Sequence, residues 1–331
     1  MAHYQGELIG EHSSIEGVRR LIGRVAASPS RTVLIYGETG TGKGLVARML
    51  HEQSDRARNE FVDVNCAAIP SSLLESELFG HERGAFTGAS AKKTGLVEAA
   101  NRGTIFLDEI REMDLILQAK LLSLLDTQRF RRVGAVRPIE VDVRFIAATN
   151  KILLSEVTAG HFREDLYYRL QVIAINIPPL RERGDDVLIL AEHFIRKLNA
   201  RYDRSITGLS GEVEGVFKAY PWPGNVRELE NLLERIFILE DDNRVLARHL
   251  PDRILRTVRA GTARVLPATG GPARTGPGEE CDFRAATAAF QRELIEKALM
   301  RAEGSVAAAA QQLGLSRHAL RHQMMKLGLR A

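Results

Sequence analysis

The 331-residue sequence is short of cysteine, of aromatic residues and of long apolar runs. Its two cysteines, Cys66 and Cys281, are far apart and lack the spacing of a metal-ligand motif, which suits a reducing cytoplasm. No apolar run reaches the ~18 residues that a transmembrane helix needs. Residues Met1–Gln5 have no apolar signal core. We therefore expect a cytoplasmic protein without membrane insertion.

The charge is small in total but unevenly placed. The formal net charge is +4, and residues 286–331 hold seven Lys and Arg against three acids, so this segment carries the whole surplus. A local excess of positive charge indicates a polyanionic partner for the C-terminal segment.

A glycine-rich stretch lies between an apolar run, Thr32–Tyr36, and a helical pattern, Leu45–Leu50. A strand, a loop of this composition ending in Lys and a helix together predict a phosphate-binding loop. The alternative is a glycine-rich turn with a solvated Lys and no binding function. The candidate nucleotide-binding residues are Gly37, Glu38, Thr39, Gly40, Thr41, Gly42, Lys43 and Gly44. Gly44 is a departure, because Ser or Thr usually stands there to bind Mg²⁺.

Four further apolar segments predict strands separated by helical patterns, which favours an α/β fold with a mostly parallel sheet. Ligands gather at the carboxyl ends of such strands. The predicted strands are Phe61–Val64, Thr104–Leu107, Val141–Ala148 and Val172–Ile177.

Two acids, Asp108 and Glu109, directly follow the strand predicted at Thr104–Leu107. Beside a phosphate loop, Asp108 can hold Mg²⁺ through water and Glu109 can polarise an attacking water. Acids are also common at helix N-termini, which is the alternative.

The segment Glu77–Ala89 contains Gly84, Ala85, Phe86, Thr87, Gly88 and Ala89 in unbroken order. From the residues alone, Phe86 could be a partner contact at a loop tip or a core side chain. The six-residue motif resembles that of the AAA+ activators of sigma-54 RNA polymerase, the bacterial enhancer-binding proteins. The resemblance implies an AAA+ P-loop NTPase domain with a helical lid, ATP and Mg²⁺ as cofactors, a hexameric ring, and a loop that engages sigma-54 and moves with the nucleotide state.

The resemblance extends to further positions. It implies that Thr149 and Asn150 sense the γ-phosphate and that Asn65 restrains Glu109. The segment Arg129–Gly134 matches a second surface loop that supports the first. Arg163 and Arg169 match residues that reach a neighbouring subunit's nucleotide, although such an arginine pair is alone more often a surface salt-bridge cluster.

Arg227 matches a second sensor in the lid. The residues themselves also allow an ion pair between Arg227 and Glu230, three positions on. Asn225, just before Arg227, is predicted to cap a helix.

The predicted domains are a nucleotide-binding subdomain at 1–180, a helical lid at 181–247, a flexible linker at 248–285 and a helix-turn-helix domain at 286–331. The last segment is similar to Fis-type DNA-binding domains, with dimeric tails. Its alternative is a helical dimerisation module. The candidate residues for binding double-stranded enhancer DNA are Ser316, Arg317, His318, Arg321 and His322.

Because the motifs occur together in the order of that family, the resemblance implies an ATPase that remodels the closed complex of sigma-54 and RNA polymerase. The ATPase pattern begins within the first ten residues, so we expect either an activator without a receiver domain or a piece of a longer chain from which an N-terminal segment is missing. This architecture resembles the phage-shock-protein operon activator and implies a separate inhibitor acting in trans. The alternatives are a nucleotide-gated DNA-binding regulator with little hydrolysis, because of Gly44, and a remodeller of some other protein.

Overall fold

The computed structural model describes residues 7–263 and, further on, residues 292, 295, 298–300, 302, 305–312, 320 and 324. The chain forms two compact units, Met1–Leu266 and Pro267–Ala331. Each unit is described by itself below.

The first unit is built on a five-stranded sheet. Its strands are β1 (Thr32–Tyr36), β2 (Phe61–Asn65), β5 (Thr104–Asp108), β8 (Arg144–Thr149) and β9 (Ala174–Asn176). Neighbouring strands are all parallel, in the order β2-β5-β8-β1-β9, and this α/β class confirms the prediction. The register pairs Tyr36 with Thr149 and Asn65 with Asp108, so the predicted polar residues meet at one edge of the sheet.

Two of the predicted strands are too long. The strand predicted from Val141 begins only at Arg144, and the one predicted at Val172–Ile177 covers only Ala174–Asn176. The Val141 N–H instead donates to the Gln128 carbonyl at 3.0 Å, so this stretch is bonded outside the central sheet. Alternating apolar residues could not reveal that partner, because it lies on another element.

Helices cover both faces of the sheet. Strand residues alternate between the faces, as in β1, where Val33 and Ile35 face one core and Leu34 faces the other. The helices of this subdomain are α1 (Ser13–Ala26), α2 (Lys43–Glu52), α3 (Ser71–Phe79), α4 (Leu96–Ala99), α5 (Leu115–Thr127), α6 (Leu153–Thr158) and α7 (Glu164–Leu170). α1 and α2 contribute to one core, and α3, α5 and α7 contribute to the other.

Two small antiparallel hairpins stand apart from the central sheet. One pairs β3 (Gly80–His81) with β4 (Lys93–Thr94), and the other pairs β6 (Arg129–Phe130) with β7 (Ile139–Glu140). The first hairpin carries the segment Gly84–Ala89 between its strands.

The lid is helical, with its own core around Trp222 and Phe217. Its helices are α8 (Asp186–Tyr202), α9 (Gly211–Ala219), α10 (Asn225–Leu239) and α11 (Asp252–Ala263). The prediction of a flexible linker from residue 248 is wrong at its start, because Ile254 of α11 is fully buried in the lid core. In the described part of the chain, no helix combines the length and apolarity of a membrane span.

In the second unit, a helix spans Val306–Gln312. Its described core residues are Ile295, Ala298, Ala309, Ala310, Leu320 and Met324. The proposed DNA-binding residues, Ser316, Arg317, His318, Arg321 and His322, lie outside the described residues.

Candidate nucleotide-binding site

The predicted phosphate loop joins the end of β1 to the start of α2 at Lys43. Gly40 and Gly42 have φ of 80° and 106°, a left-handed backbone that favours glycine. The Thr41 hydroxyl donates to the Glu38 carbonyl at 2.8 Å and closes the turn. Lys43 is buried, and its Nζ donates to the Gly37 carbonyl at 3.1 Å. The loop therefore folds back around its own lysine at the N-terminus of α2.

The acid pair meets this loop. Glu109 follows β5 with φ of 51°, and its Oε1 lies 3.5 Å from Lys43 Nζ. Its Oε2 is buried and has no hydrogen-bond partner in the described structure, with Arg111 Nε 4.0 Å away. Asp108 accepts the Glu109 N–H at 3.0 Å through Oδ1. Two carboxylates beside a phosphate loop, one with an orphaned oxygen, form a donor set that fits Mg²⁺ and water.

The two predicted sensor residues have different environments. Thr149 is fully buried, and its hydroxyl accepts the Lys151 N–H at 3.2 Å. Asn150 Nδ2 donates to the Thr39 hydroxyl at 3.3 Å, and its Oδ1 is buried without a hydrogen-bond partner in the described part of the chain. Asn150 therefore contacts the phosphate loop directly, whereas Thr149 stabilises the turn behind it.

Asn65 lies beside the acid pair, opposite Asp108 in the sheet register. Its Oδ1 accepts the Ala67 N–H at 3.0 Å. The described residues contain no hydrogen bond between Asn65 and Glu109, so the predicted restraint of Glu109 stays a prediction.

The lid contacts the loop through Asn225, and here the predicted role of Asn225 is wrong. Asn225 makes no capping hydrogen bond to α10, whose cap position is Gly224. Its Nδ2 instead donates to Glu38 Oε2 at 3.1 Å and to the Thr39 carbonyl at 3.0 Å. Its Oδ1 accepts the Leu180 N–H at 2.8 Å. An Asn before a helix is typical of a cap, and only the tertiary structure shows that its side chain turns away.

Two arginines of the segment between the subdomains were missed from the sequence. Arg181 binds Glu38 through two hydrogen bonds of 2.8 and 2.6 Å, and this contact is the main cause of the lowered pKa of Glu38. Arg183 is buried and donates to the Thr41 carbonyl at 3.1 Å. Burial lowers the pKa of Arg183 to about 10. The only sequence signal was two arginines among prolines, which is too common to point to a site.

Arg227 is exposed at the start of α10, and its Cβ lies 3.1 Å from where a Cβ on Gly40 would stand. Glu230 binds Lys197 Nζ at 3.0 Å instead of Arg227. Arg227 is thus next to the phosphate loop, and the alternative pairing with Glu230 is not formed.

Arg163 and Arg169 lie at α7, with side chains 40% and 45% exposed. Arg163 binds Asp165 through two contacts of 3.0 and 2.7 Å, and Arg169 binds Asp126 at 2.9 Å. Within the described part of the chain, the ion-pair partners of both guanidiniums are partly exposed acids.

The segment Gly84–Ala89 forms a tight loop, with Gly84 and Gly88 at φ of 81° and 101°. Phe86 is 42% exposed, and one edge of its ring contacts His81 with the centroids 5.0 Å apart. The second surface loop docks at its base, where Val133 exchanges hydrogen bonds with Gly80 and Glu82.

Arg132 ties the same region together. Its guanidinium binds Glu82 at 2.9 Å and Glu98 at 2.7 Å. The two predicted surface loops are therefore one connected structure.

Three protein families match successive parts of the chain. The sigma-54 interaction domain matches residues 8–176, the AAA+ ATPase lid domain matches residues 181–265, and the bacterial regulatory protein Fis family matches residues 287–327. The chain belongs to the sigma-54-dependent transcriptional activators.

Several curated relatives of this family are similar over nearly the whole chain. Regulatory protein AtoC of Escherichia coli is 41% identical over 98% of this chain and 68% of its own length. Nitrogen fixation protein AnfA of Azotobacter vinelandii is 42% identical over 97% of this chain and 57% of its own. The formate hydrogenlyase transcriptional activator FhlA of E. coli is 45% identical over 98% of this chain and 44% of its own length. The chain thus spans about half to two thirds of these relatives.

A solved relative shows the same architecture. NtrX of Brucella abortus, in complex with ATP, aligns with a TM-score of 0.70 and 34% identity over 98% of this chain and 70% of NtrX. The crystal structure of NtrX with ADP gives the same TM-score over 69% of NtrX.

Proposed function

We propose that this activator hydrolyses ATP and uses the energy to convert the closed complex of sigma-54 RNA polymerase to the open complex. The observation that carries the proposal is the 3.5 Å contact between Lys43 of the phosphate loop and Glu109 of the acid pair. It joins the group that binds phosphate to the group that can take a proton from water, on one edge of the sheet. The ATP complex of the relative NtrX supports the choice of nucleotide.

Each residue of the edge has a physical role in this chemistry. Lys43 and the loop amides neutralise the phosphates, and Glu109 orients the attacking water and accepts its proton. Asp108 would hold Mg²⁺, which would supply positive charge to stabilise the phosphates. Asn150 and Arg227 contact the loop from the sheet and the lid, where they can register the γ-phosphate. Asn65 positions the neighbouring acid pair, and Thr149 stabilises the turn that holds Asn150.

The arginine pair acts between subunits. Arg163 and Arg169 carry exposed guanidiniums whose ion pairs are with partly exposed acids, and such pairs are worth only about 0–1 kcal/mol. They can therefore exchange an acid for a phosphate of a neighbouring copy, where a guanidinium stabilises developing charge. This requires a closed ring of copies, for which we propose six.

The output surfaces are the loop Gly84–Ala89 and the C-terminal unit. Phe86 presents an aromatic ring to sigma-54 at the tip of a loop braced by Arg132. The C-terminal segment, which matches the Fis family, binds enhancer DNA as a dimer. These partners imply a cytoplasmic location. Control by a separate inhibitor, as in the phage-shock-protein operon activator, stays a prediction of the sequence resemblance.

One observation supports the alternative of a nucleotide-gated regulator with little hydrolysis. Gly44 offers no side-chain oxygen, yet a Cβ there would meet nothing closer than Phe106 Cε1 at 3.8 Å. The surroundings of position 44 therefore leave room for a side chain, and the hydroxyl that usually binds Mg²⁺ is missing there.

The experiment that separates these functions is ATP hydrolysis by the full chain at rising protein concentration. Specific activity that rises steeply with concentration supports a ring whose sites are completed between subunits. No hydrolysis at any protein or Mg²⁺ concentration would contradict the proposal and leave the nucleotide-gated regulator.

A further inference from the structure

Three residues of the phosphate loop accept hydrogen bonds from four residues of the lid and of the segment that leads into it. Asn225 Nδ2 donates to Glu38 and to the Thr39 carbonyl, and Arg181 binds the Glu38 carboxylate. The backbone N–H groups of Val226 and Arg227 donate to the Gly40 carbonyl at 3.0 and 3.4 Å. Two N–H groups of the first turn of α10 are thus satisfied by the phosphate loop, whereas the Asn225 N–H donates to the Trp222 carbonyl at 2.8 Å.

Asn225 is the centre of this junction. Its side chain is fully buried, so a lost donor could not be replaced by water. Its backbone lies at φ of 51°, a left-handed conformation that Asn and Asp adopt more readily than other non-glycine residues. With Oδ1 held by the Leu180 N–H, its amide group joins the phosphate loop, the lid and the segment Leu180–Glu182 between the subdomains, here called the hinge.

The junction also fixes how the loop amides point. The C=O and N–H of a trans peptide point in opposite directions. Because Asn225 holds the Thr39 carbonyl, the Gly40 N–H is directed away from Asn225. A side chain at Gly40 would clash with the Gly224 carbonyl, so the approach of loop and lid depends on glycine here.

We propose that Asn225 is a positioning residue which, through Glu38 and the Thr39 carbonyl, makes the orientation of the phosphate-binding loop depend on the position of the lid. This inference rests on the proposed nucleotide binding at the loop. Its consequence is that nucleotide affinity is set partly by a lid residue that acts through its hydrogen bonds to the loop. Arg181 strengthens the same junction by fixing the Glu38 carboxylate from the hinge.

The test uses the isosteric change Asn225→Asp in the full chain. Asp retains the acceptor for Leu180 and tolerates the same φ, but it replaces the donor by a carboxylate facing Glu38 and the Thr39 carbonyl. Equilibrium binding of a fluorescent ATP analogue is expected to weaken at least tenfold, measured below the unfolding temperature of each variant.

The matched control is Asn199→Asp. Asn199 also uses both ends of its amide inside the lid, donating to the Ile206 carbonyl at 2.8 Å and accepting the Ile206 N–H at 2.9 Å. This control is expected to lower the unfolding temperature and leave the Kd for the analogue within twofold of wild type. A purely structural role for Asn225 would give the same result as the control.

A reciprocal exchange distinguishes a specific contact from general damage. In the double variant Glu38→Gln with Asn225→Asp, the amide introduced at position 38 can donate to the new carboxylate. We expect its Kd to recover by at least threefold relative to Asn225→Asp alone. Wild-type affinity in Asn225→Asp, or additive losses in the double variant, would overturn the inference while leaving the proposed function intact. A wild-type chain that binds no nucleotide would overturn both.

Discussion

Two clusters of basic residues, one around the phosphate loop and one at α7, differ in where their hydrogen-bond and ion-pair partners lie. Around the phosphate loop, Lys43 and Arg183 are buried and bound to groups of the same chain, including Gly37 and Thr41. At α7, Arg163 and Arg169 are nearly half exposed. The first arrangement is complete within one chain, whereas the acids that bind Arg163 and Arg169 leave both side chains accessible from outside. The comparison teaches where a dependence on assembly is to be sought, because under the proposed function only the second cluster needs a neighbouring copy.

The largest loss of activity is expected at the proposed sigma-54 contact and not at either basic cluster. Phe86→Ala should abolish sigma-54-dependent transcription while ATP hydrolysis stays within twofold, because the ring of Phe86 is partly exposed and contacts His81, which is not one of the proposed catalytic residues. An in vitro open-complex assay beside an ATPase assay measures both. The control is Ile238→Ala, an exposed apolar residue of the lid. Equal loss of both activities in Phe86→Ala would place Phe86 in the fold.

The next change tests the arginine cluster at α7 directly. Arg163→Ala should lower the ATP turnover number by about 10³-fold, the usual contribution of an arginine that stabilises phosphoryl transfer. ATP binding should remain, since Arg163 lies outside the loop junction. Arg248→Ala is the matched control, because Arg248 also grips one acid, Asp242, through two contacts of 2.7 Å.

Mixing then decides whether the arginine acts between copies. Arg163→Ala supplies intact Glu109, and Glu109→Gln supplies intact Arg163. Mixed rings should regain activity that neither variant has alone. Absence of any recovery, in rings shown to be mixed, would mean that Arg163 serves its own subunit.

A smaller loss of ATP turnover is expected at the acid pair beside the phosphate loop. Glu109→Gln should lower turnover by about 10²-fold, the lower range for loss of a general base. The Kd for ATP should be unchanged or tighter, because Lys43 loses its 3.5 Å ionic contact and is free for phosphate. Glu112→Gln, three residues away and ion-paired with Arg111, is the control. Loss of binding in Glu109→Gln would show that the acid supports the loop and not the reaction.

The smallest change concerns Gly44. Gly44→Ala should raise the free energy of unfolding by about 0.5 kcal/mol, because glycine in a helix costs about that much relative to Ala and nothing blocks the Cβ. Chemical denaturation measures it. Gly44→Ser has the same space but adds a hydroxyl, so it alone should lower the Mg²⁺ concentration that half-saturates hydrolysis. The same Mg²⁺ dependence in both variants would show that position 44 does not reach the metal.

The sequence allowed the prediction of features that are contiguous in the chain. The phosphate loop, the acid pair after β5 and the segment Gly84–Ala89 each depend on neighbouring residues, so their patterns were readable without a fold. Helix α11 was missed because its composition continues into a Gly- and Pro-rich stretch, and the burial of Ile254 depends on the rest of the lid.

The junction at Asn225 shows the limit of such patterns. Asn225 and Glu38 are 187 positions apart, and no local periodicity connects them. The same sequence, Gly224-Asn225 before a helix, fits a cap equally well. Only the packed lid decides between the two, by burying the amide against the Glu38 side chain and the Thr39 carbonyl.

The sequence by itself determined which chemical groups this activator possesses, since local backbone preference and residue type fix a phosphate loop, a carboxylate pair and a glycine-bracketed turn that carries an aromatic residue, whereas the exposure of that residue came from the structure. The tertiary structure decided which of those groups share a site. Hydrogen bonds and burial act through space, so only the fold could bring Arg181, Arg183 and Asn225 to a loop more than a hundred residues away, and leave Arg163 and Arg169 facing outward.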